Sequence, residues 1–255
     1  MDEAQRPWLA IVTCEHGGNH IPLEYRDRFR DAGEALRSHR GYDAGALTMA
    51  RDFADALQAP LFASTTSRLL IDLNRSLGHP GLYSEYSRTL APAERRRLVE
   101  SHYLPHRQRI EEAVAGMVAN GGRVVHLASH SFTPELNGKV RNADIGLLYD
   151  PGREEERRFC RGWGAALGAA LPGSRTRFNY PYAGKSDGLA TFLRRRFAGE
   201  VYIGVEVEIN QGHVMQGGRH WRILRERVVQ ALLAAMPAGA SRRDKFPGQP
   251  TERFI

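Results

Sequence analysis

Several apolar runs in this chain end abruptly in side chains able to bind a metal or move a proton. In WLAIVTCEHGGNHIP, residues 8 to 22, the run Leu9 to Thr13 has the composition of a buried strand, and it breaks into Glu15, His16, Gly17, Gly18, Asn19 and His20. Open α/β sheets build their sites at such carboxyl ends. The segment RVVHLASHSF repeats the pattern. Its period of two places His126, Ala128 and His130 on one side, with His130 at the carboxyl end, as His16 is in the first strand. His126, deeper in the run, reads as a core histidine or as one supporting a ligand from behind.

The strand EVYIGVEVEIN is more informative. Val201, Ile203, Val205, Val207 and Ile209 share one face, and Tyr202, Gly204, Glu206, Glu208 and Asn210 the other. Carboxylates on a central strand are costly unless a metal, an arginine or a substrate partners them. An edge strand with a solvated face is the alternative. SRLLIDLNRS reads as a further extended segment, with Arg68 at its start and Asp72, Asn74 and Arg75 at its end. An arginine fork beside an asparagine amide suits a carboxylate. Zinc with nitrogen and carboxylate ligands and one open position would use such a set to activate water, with a glutamate taking the proton and an arginine facing the oxyanion. The spacing is not the HExxH of a helical zinc site.

These groups need a scaffold, and the pattern predicts one. Helical periodicity follows Asp43 in AGALTMARDFADAL, where Asp43 itself reads equally as a helix N-cap. A shorter helix is expected from Pro22 to about residue 32. A long helical stretch starts near Pro92, is kinked or split at Pro105, and stops at Gly121-Gly122. Strand ADIGLLYD, helix EEERRFCRGWGAALGAAL, the loop NYPYAGKSDG, helix LATFLRRRF and a last helix from about Arg219 to Met236 complete the series. Strands alternating with helices predict a three-layer α/β/α fold with a mostly parallel or mixed central sheet. A single domain over residues 1–238 is expected, followed by a loose basic tail over 239–255.

Composition narrows the function classes. The chain has 255 residues, is 42% hydrophobic and 25% charged, and carries a formal net charge of +7. Its isoelectric point near 9.7 raises the question of nucleic acid. Much of that charge lies in Arg95 to Arg97, Arg194 to Arg196, and Arg242, Arg243 and Lys245, of which the first two groups read as solvated helix faces. The absence of interleaved basic and aromatic residues argues against nucleic-acid binding. A small anionic substrate suits the balance better. No run approaches the roughly 18 apolar residues of a membrane helix. MDEAQRPW lacks a signal-peptide core, and two cysteines give no disulfide framework, so a cytoplasmic location is expected.

In order, the motifs CEHGGNHIP, HRGYDAGA, DLNRS, HSFTP, YPYAGKSDGL and VEVEINQG resemble the N-formylglutamate amidohydrolase family. They span residues 14 to about 214. More distantly the layout is similar to zinc carboxypeptidases and aspartoacylases, and so to a phosphorylase/hydrolase-like sheet. The resemblance implies a hydrolase of N-formyl or other N-acyl amino acids, with His16 and His130 holding a metal, zinc by analogy. Arg68 would face the oxyanion, Asn74 and Arg75 would hold the substrate carboxylate, and Glu208 would be the general base, with Glu206 its alternative. The distant relatives have His-x-x-Glu, whereas Asn19 stands three residues after His16, and an amide oxygen is a poor zinc ligand. Asp43 is the candidate replacement, with Asn19 or Glu15 next. A rival amidase mechanism would use Cys14, although neighbours on a strand face opposite sides and so weaken a Cys14–His16 pair.

Overall fold

The computed structural model describes residues 6–237, so the expected tail lies outside the described residues. Among the described residues eight strands form two sheets. They are β1 (Trp8–Cys14), β2 (Leu61–Ala63), β3 (Arg123–Phe132), β4 (Glu135–Leu136), β5 (Lys139–Val140), β6 (Ile145–Leu148), β7 (Thr176–Phe178) and β8 (Tyr202–Asn210). The main sheet runs β2-β1-β3-β8-β6-β7, and β4-β5 is a separate hairpin. β2, β1, β3 and β8 are parallel, while β6 meets β8 antiparallel and pairs with β7 parallel. The sheet is therefore mixed. β8 is central, with a strand on each side, which rules out the edge-strand reading of its two glutamates.

The helices are α1 (Gly33–Arg37), α2 (Ala46–Leu57), α3 (Pro92–Leu98), α4 (Leu104–Ala119), α5 (Glu154–Ala170), α6 (Leu189–Arg194), α7 (Gln211–Gln216) and α8 (Gly218–Ala235). α2, α5 and α8 cover one face of the sheet, where Val12, Val125, Leu127, Val205 and Val207 are buried. On the other face Ile11, Val124 and Tyr202 pack with Ile110, Val114, Leu189 and Leu193 from α4 and α6. This gives the expected three layers. A third apolar cluster joins Tyr25 and Phe29 to Leu69, Leu70, Ile71, Leu73, Leu98 and Tyr103.

That third cluster accounts for the main departure from expectation. SRLLIDLNRS is not a strand but a series of turns beside the sheet. Its consecutive apolar residues are buried as a block under α3 and α4, and a short apolar run cannot by itself distinguish a strand from such a turn. Pro105 stands in the first turn of α4, and the split falls just before it, as a π-helical turn over Val99–Tyr103. The helix expected after Pro22 is a 3-10 turn over Leu23–Phe29 followed by α1. β7, α7 and the hairpin were not anticipated. Arg194 is not solvated: it lies buried against Glu156 of α5, with Nε 2.9 Å from Oε1. Among the described residues no helix is long and apolar enough to cross a membrane.

Candidate active site

The site forms where β1, β3 and β8 end, on the sheet face shared with α4 and α6. Parallel pairing brings His130 of β3 level with Glu208 of β8, and Ala128 level with Glu206. The glutamates therefore share a face with His130 by register alone. After β1 the chain turns at Gly17 and Gly18. A β-carbon on Gly18 would stand 2.7 Å from the Thr65 carbonyl oxygen, so the turn can press against the segment after β2 only without side chains. This turn carries His16 inward.

Asp43 joins the histidines from a separate loop. Its backbone N–H donates to the His16 carbonyl at 2.9 Å, and Ser129 and Ser131 of β3 donate to the carbonyls of Ala46 and Ala44. With the loop held there, Asp43 Oδ2 lies 2.9 Å from His130 Nδ1 and 3.4 Å from His16 Nδ1. Donor atoms of the three side chains lie within 4.8 Å of one another, and all three residues are buried. The N-cap reading of Asp43 does not hold: Gly45, at φ 80°, occupies the cap of α2, and no side chain caps it.

Further carboxylates hold the far edges of both rings. His16 Nε2 bonds Asp72 Oδ1 at 2.8 Å. His130 Nε2 lies 3.1 Å from Glu15 Oε2, an ion-pair contact off the line of a hydrogen bond. Arg68 donates to Asp72 at 2.8 Å and to Asp43 at 3.4 Å. Burial opposes charge on all of these groups, yet the mutual contacts prevail. The imidazoles of His16 and His130 are raised, and the carboxyls of Glu15, Asp43 and Asp72 are held well below their usual range. Glu208 differs. Burial, reinforced by Asp43 and Glu206, pushes it up to about 8, and its Oε2 has no hydrogen-bond partner. Burial raises Glu206 as well.

These groups open into a cleft of about 250 Å³ lined also by Asn74, Arg75, Phe132, Arg141, Tyr182 and Asp187. Arg75 donates to the Asp187 carbonyl at 2.8 Å, and Asn74 Oδ1 accepts from the Leu189 N–H at 2.7 Å. Asn74 thus keeps its NH₂ as a donor for the cleft. Every expected site residue reaches this region: His16, Asp43, Arg68, Asn74, Arg75, His130, Glu206 and Glu208. The alternative ligands do not join the donor cluster. Asn19 is exposed and bonds the Leu36 carbonyl, and Glu15 sits behind His130. His126 is a core histidine between Thr13 and Tyr202, lowered to about 4 by burial. Cys14 is buried in the core on the opposite face, and burial pushes its thiol well up, the reverse of an activated nucleophile.

Sequence reasoning missed the roles of Glu15 and Asp72, and it did not notice Arg141 or Asp187. Glu15 and Asp72 stood within quoted motifs, so proximity to predicted ligands was an available signal. Arg141 lay in a loop with no pattern to single it out.

The sequence profile of the N-formylglutamate amidohydrolase family matches residues 9–215. A comparison with curated protein sequences gives no match. Among solved structures, a gene product of Agrobacterium tumefaciens aligns over 91% of this chain and 94% of its own, with 28% identity and a TM-score of 0.74. An N-formylglutamate amidohydrolase from Ralstonia eutropha JMP134 shares the fold over 90% of this chain and 93% of its own, at 20% identity and a TM-score of 0.66. With its family profile spanning the sheet and every side chain of the cleft from His16 to Glu208, the chain belongs to the N-formylglutamate amidohydrolase family, hydrolases that cleave amide bonds.

Proposed function

We propose that this protein is a zinc-dependent amidohydrolase that converts an N-formyl or other small N-acyl amino acid, N-formylglutamate-like, into a carboxylate and a free amino acid. The observation that carries the reading is the gathering of His16 Nδ1 and His130 Nδ1 around one Asp43 oxygen, at 3.4 and 2.9 Å, in a buried trio whose donor atoms lie within 4.8 Å of one another. Two nitrogens and one carboxylate oxygen match the ligand set of a catalytic zinc site. With ligand bonds of roughly 2.0–2.1 Å, tetrahedral ligands stand about 3.3 Å apart, close to the separations of Asp43 from the two rings. The carboxylates behind each imidazole are the expected supports, fixing ring orientation and raising basicity.

A zinc ion there would act as a Lewis acid and make water a stronger acid. The chain's own residues supply the rest. Glu208 takes the proton from the attacking water and returns it to the leaving amine, and burial that raises its carboxyl makes its carboxylate the stronger base. Arg68 spends donors on Asp43 and Asp72 and still has others for the developing oxyanion. Arg75 and the Asn74 amide receive the substrate's α-carboxylate.

The test is metal analysis combined with formate release from N-formyl amino acids. About one zinc per chain is expected. Activity should be lost on chelation and restored by Zn²⁺, and Asp43→Asn should bind the metal weakly. Full activity in stripped protein, or loss on thiol alkylation alone, would overturn the proposal.

A further inference from the structure

We infer that His213 and His220 form a second metal site, separate from the cleft, for a divalent ion of the nickel or copper class. The ion fastens the corner between α7 and α8, and the inference does not rest on the hydrolase reading above.

The two histidines stand on successive helices, with Gly217 and Gly218, at φ 60° and 50°, turning the chain between them. That turn brings His213 Nδ1 to 2.8 Å from His220 Nε2. The other ring nitrogen of His213, Nε2, lies 2.9 Å from Asp144 Oδ1. An ionised carboxylate only accepts, so Nε2 carries the proton and Nδ1 presents its lone pair. A carboxylate behind an imidazole fixes the tautomer and the ring orientation for metal binding, and raises the basicity of the nitrogen in front. Asp144 is itself held. Its Oδ2 accepts from the Arg175 N–H at 2.7 Å, and its backbone carbonyl accepts from the Asn210 N–H at 2.9 Å.

Without an ion, one proton on His220 Nε2 bridges the two nitrogens. An ion takes its place, and the proton moves to Nδ1 of the same ring. His220 is exposed, so its ring can turn to aim the freed lone pair, and water can fill the remaining positions. The separation selects the ion. Nitrogens at right angles on bonds of roughly 2.0–2.1 Å stand about 2.8–3.0 Å apart, whereas tetrahedral zinc spreads them to about 3.3 Å. A right-angled imidazole pair belongs to the tetragonal geometry of Cu²⁺ and Ni²⁺.

The corner also backs the cleft. Val214 and Trp221, each next in sequence to one of the histidines, close over Gly45, where a β-carbon would stand 2.6 Å from Val214 Cγ2 and 3.1 Å from Trp221 Cζ2. A bridge between His213 and His220 therefore braces the packing behind the Asp43 loop.

The test titrates Ni²⁺ by calorimetry into protein already given one equivalent of Zn²⁺, with both metals counted after desalting. About one Ni²⁺ per chain should bind with zinc retained. His213→Gln and His220→Gln should each weaken nickel binding by more than roughly tenfold. Asp144→Asn should weaken it roughly 10- to 100-fold through loss of the charge behind the ring. Nickel should raise the thermal midpoint of wild type and leave that of His220→Gln unmoved. His220→Gln changes an exposed side chain, so it serves where the Asp144 variant melts early. Nickel uptake only in exchange for zinc, no uptake at all, or equal affinity in wild type and His220→Gln would overturn the inference.

Discussion

Glu156 and Glu208 are both buried carboxylates against β8, and their surroundings differ in kind. Glu156 approaches from α5 and is closed on every side. Its oxygens accept from Arg194 Nε at 2.9 and 3.1 Å, from the Gly204 N–H at 3.1 Å and from the Asp150 N–H at 2.8 Å. Arg194 is equally occupied, donating also to the Gly184 and Gly204 carbonyls. Glu208 lies two pleat repeats farther along the strand, with one oxygen unpartnered and its acidity suppressed to about 8. A closed charge fastens α5, α6 and β8 together. An open carboxyl, its basicity raised by burial, is placed to take and return a proton. The contrast separates two uses of buried charge that sequence alone presents identically.

The sharpest way to break the comparison is to remove the open charge. Glu208→Gln retains shape, so metal content and folding should survive while kcat falls by roughly 10²–10⁴, the range for a lost acid–base group. Glu206→Gln, compared at equal metal loading, should be milder. Loss in the 206 variant with retention in the 208 variant would exchange the two roles, and no change in either would sink the mechanism.

Opening the closed charge should do the opposite. Arg194→Met takes from Glu156 its hydrogen-bonded cation and leaves only Arg153, with Nε 3.5 Å from Oε1; breaking a buried pair costs up to about 3–5 kcal/mol. Urea unfolding should show that loss, with kcat per folded molecule little altered. A stability near wild type would mean that Glu156 does not depend on Arg194.

The two histidines of β3 offer a finer version of the same comparison, in pH rather than in turnover. His126 is closed between Thr13 and Tyr202 and lowered to about 4. Its ordinary value is about 6.5, so between these values the unfolded chain binds the proton and the folded chain does not. Its contribution is therefore complete above pH ~6.5 and lost as pH falls toward ~4, by about 3 kcal/mol in total. The difference in stability between wild type and His126→Gln should carry this slope. A flat difference across that window would show that His126 charges freely in the fold.

The smallest effect is expected one layer behind the ligands. Asp72→Asn keeps a hydrogen-bond acceptor for His16 but removes the charge behind the ring, and metal affinity should fall roughly 10- to 100-fold. Competition with a chromophoric chelator would measure it. Unchanged affinity would reduce Asp72 to a partner of Arg68 and the Asn74 N–H.

Much of this was legible because strands alternate strictly. The side of β8 that carries Glu206 and Glu208, the position of His130 at the end of β3, and the layered α/β arrangement all follow from a period of two and from helical spacing between strands. His16 was legible for the same reason. The segment 67–76 was misread because a block of Leu69, Leu70, Ile71 and Leu73 records burial without recording what buries it. Arg194 was misread as solvated because its partner, Glu156, is distant in sequence.

Local periodicity, then, determined which residues share a face and where each strand ends, since those depend on backbone geometry within a few residues. The tertiary structure alone decided that Asp43 abandons the helix cap for the histidines, because that requires the His16 carbonyl and two β3 serines to hold its loop. It alone placed Asp72 and Glu15 behind the imidazoles and set Arg141 beside the rings of Phe132 and Tyr182. Pairings across such separations depend on sheet order and loop docking, which no pattern along the chain encodes locally.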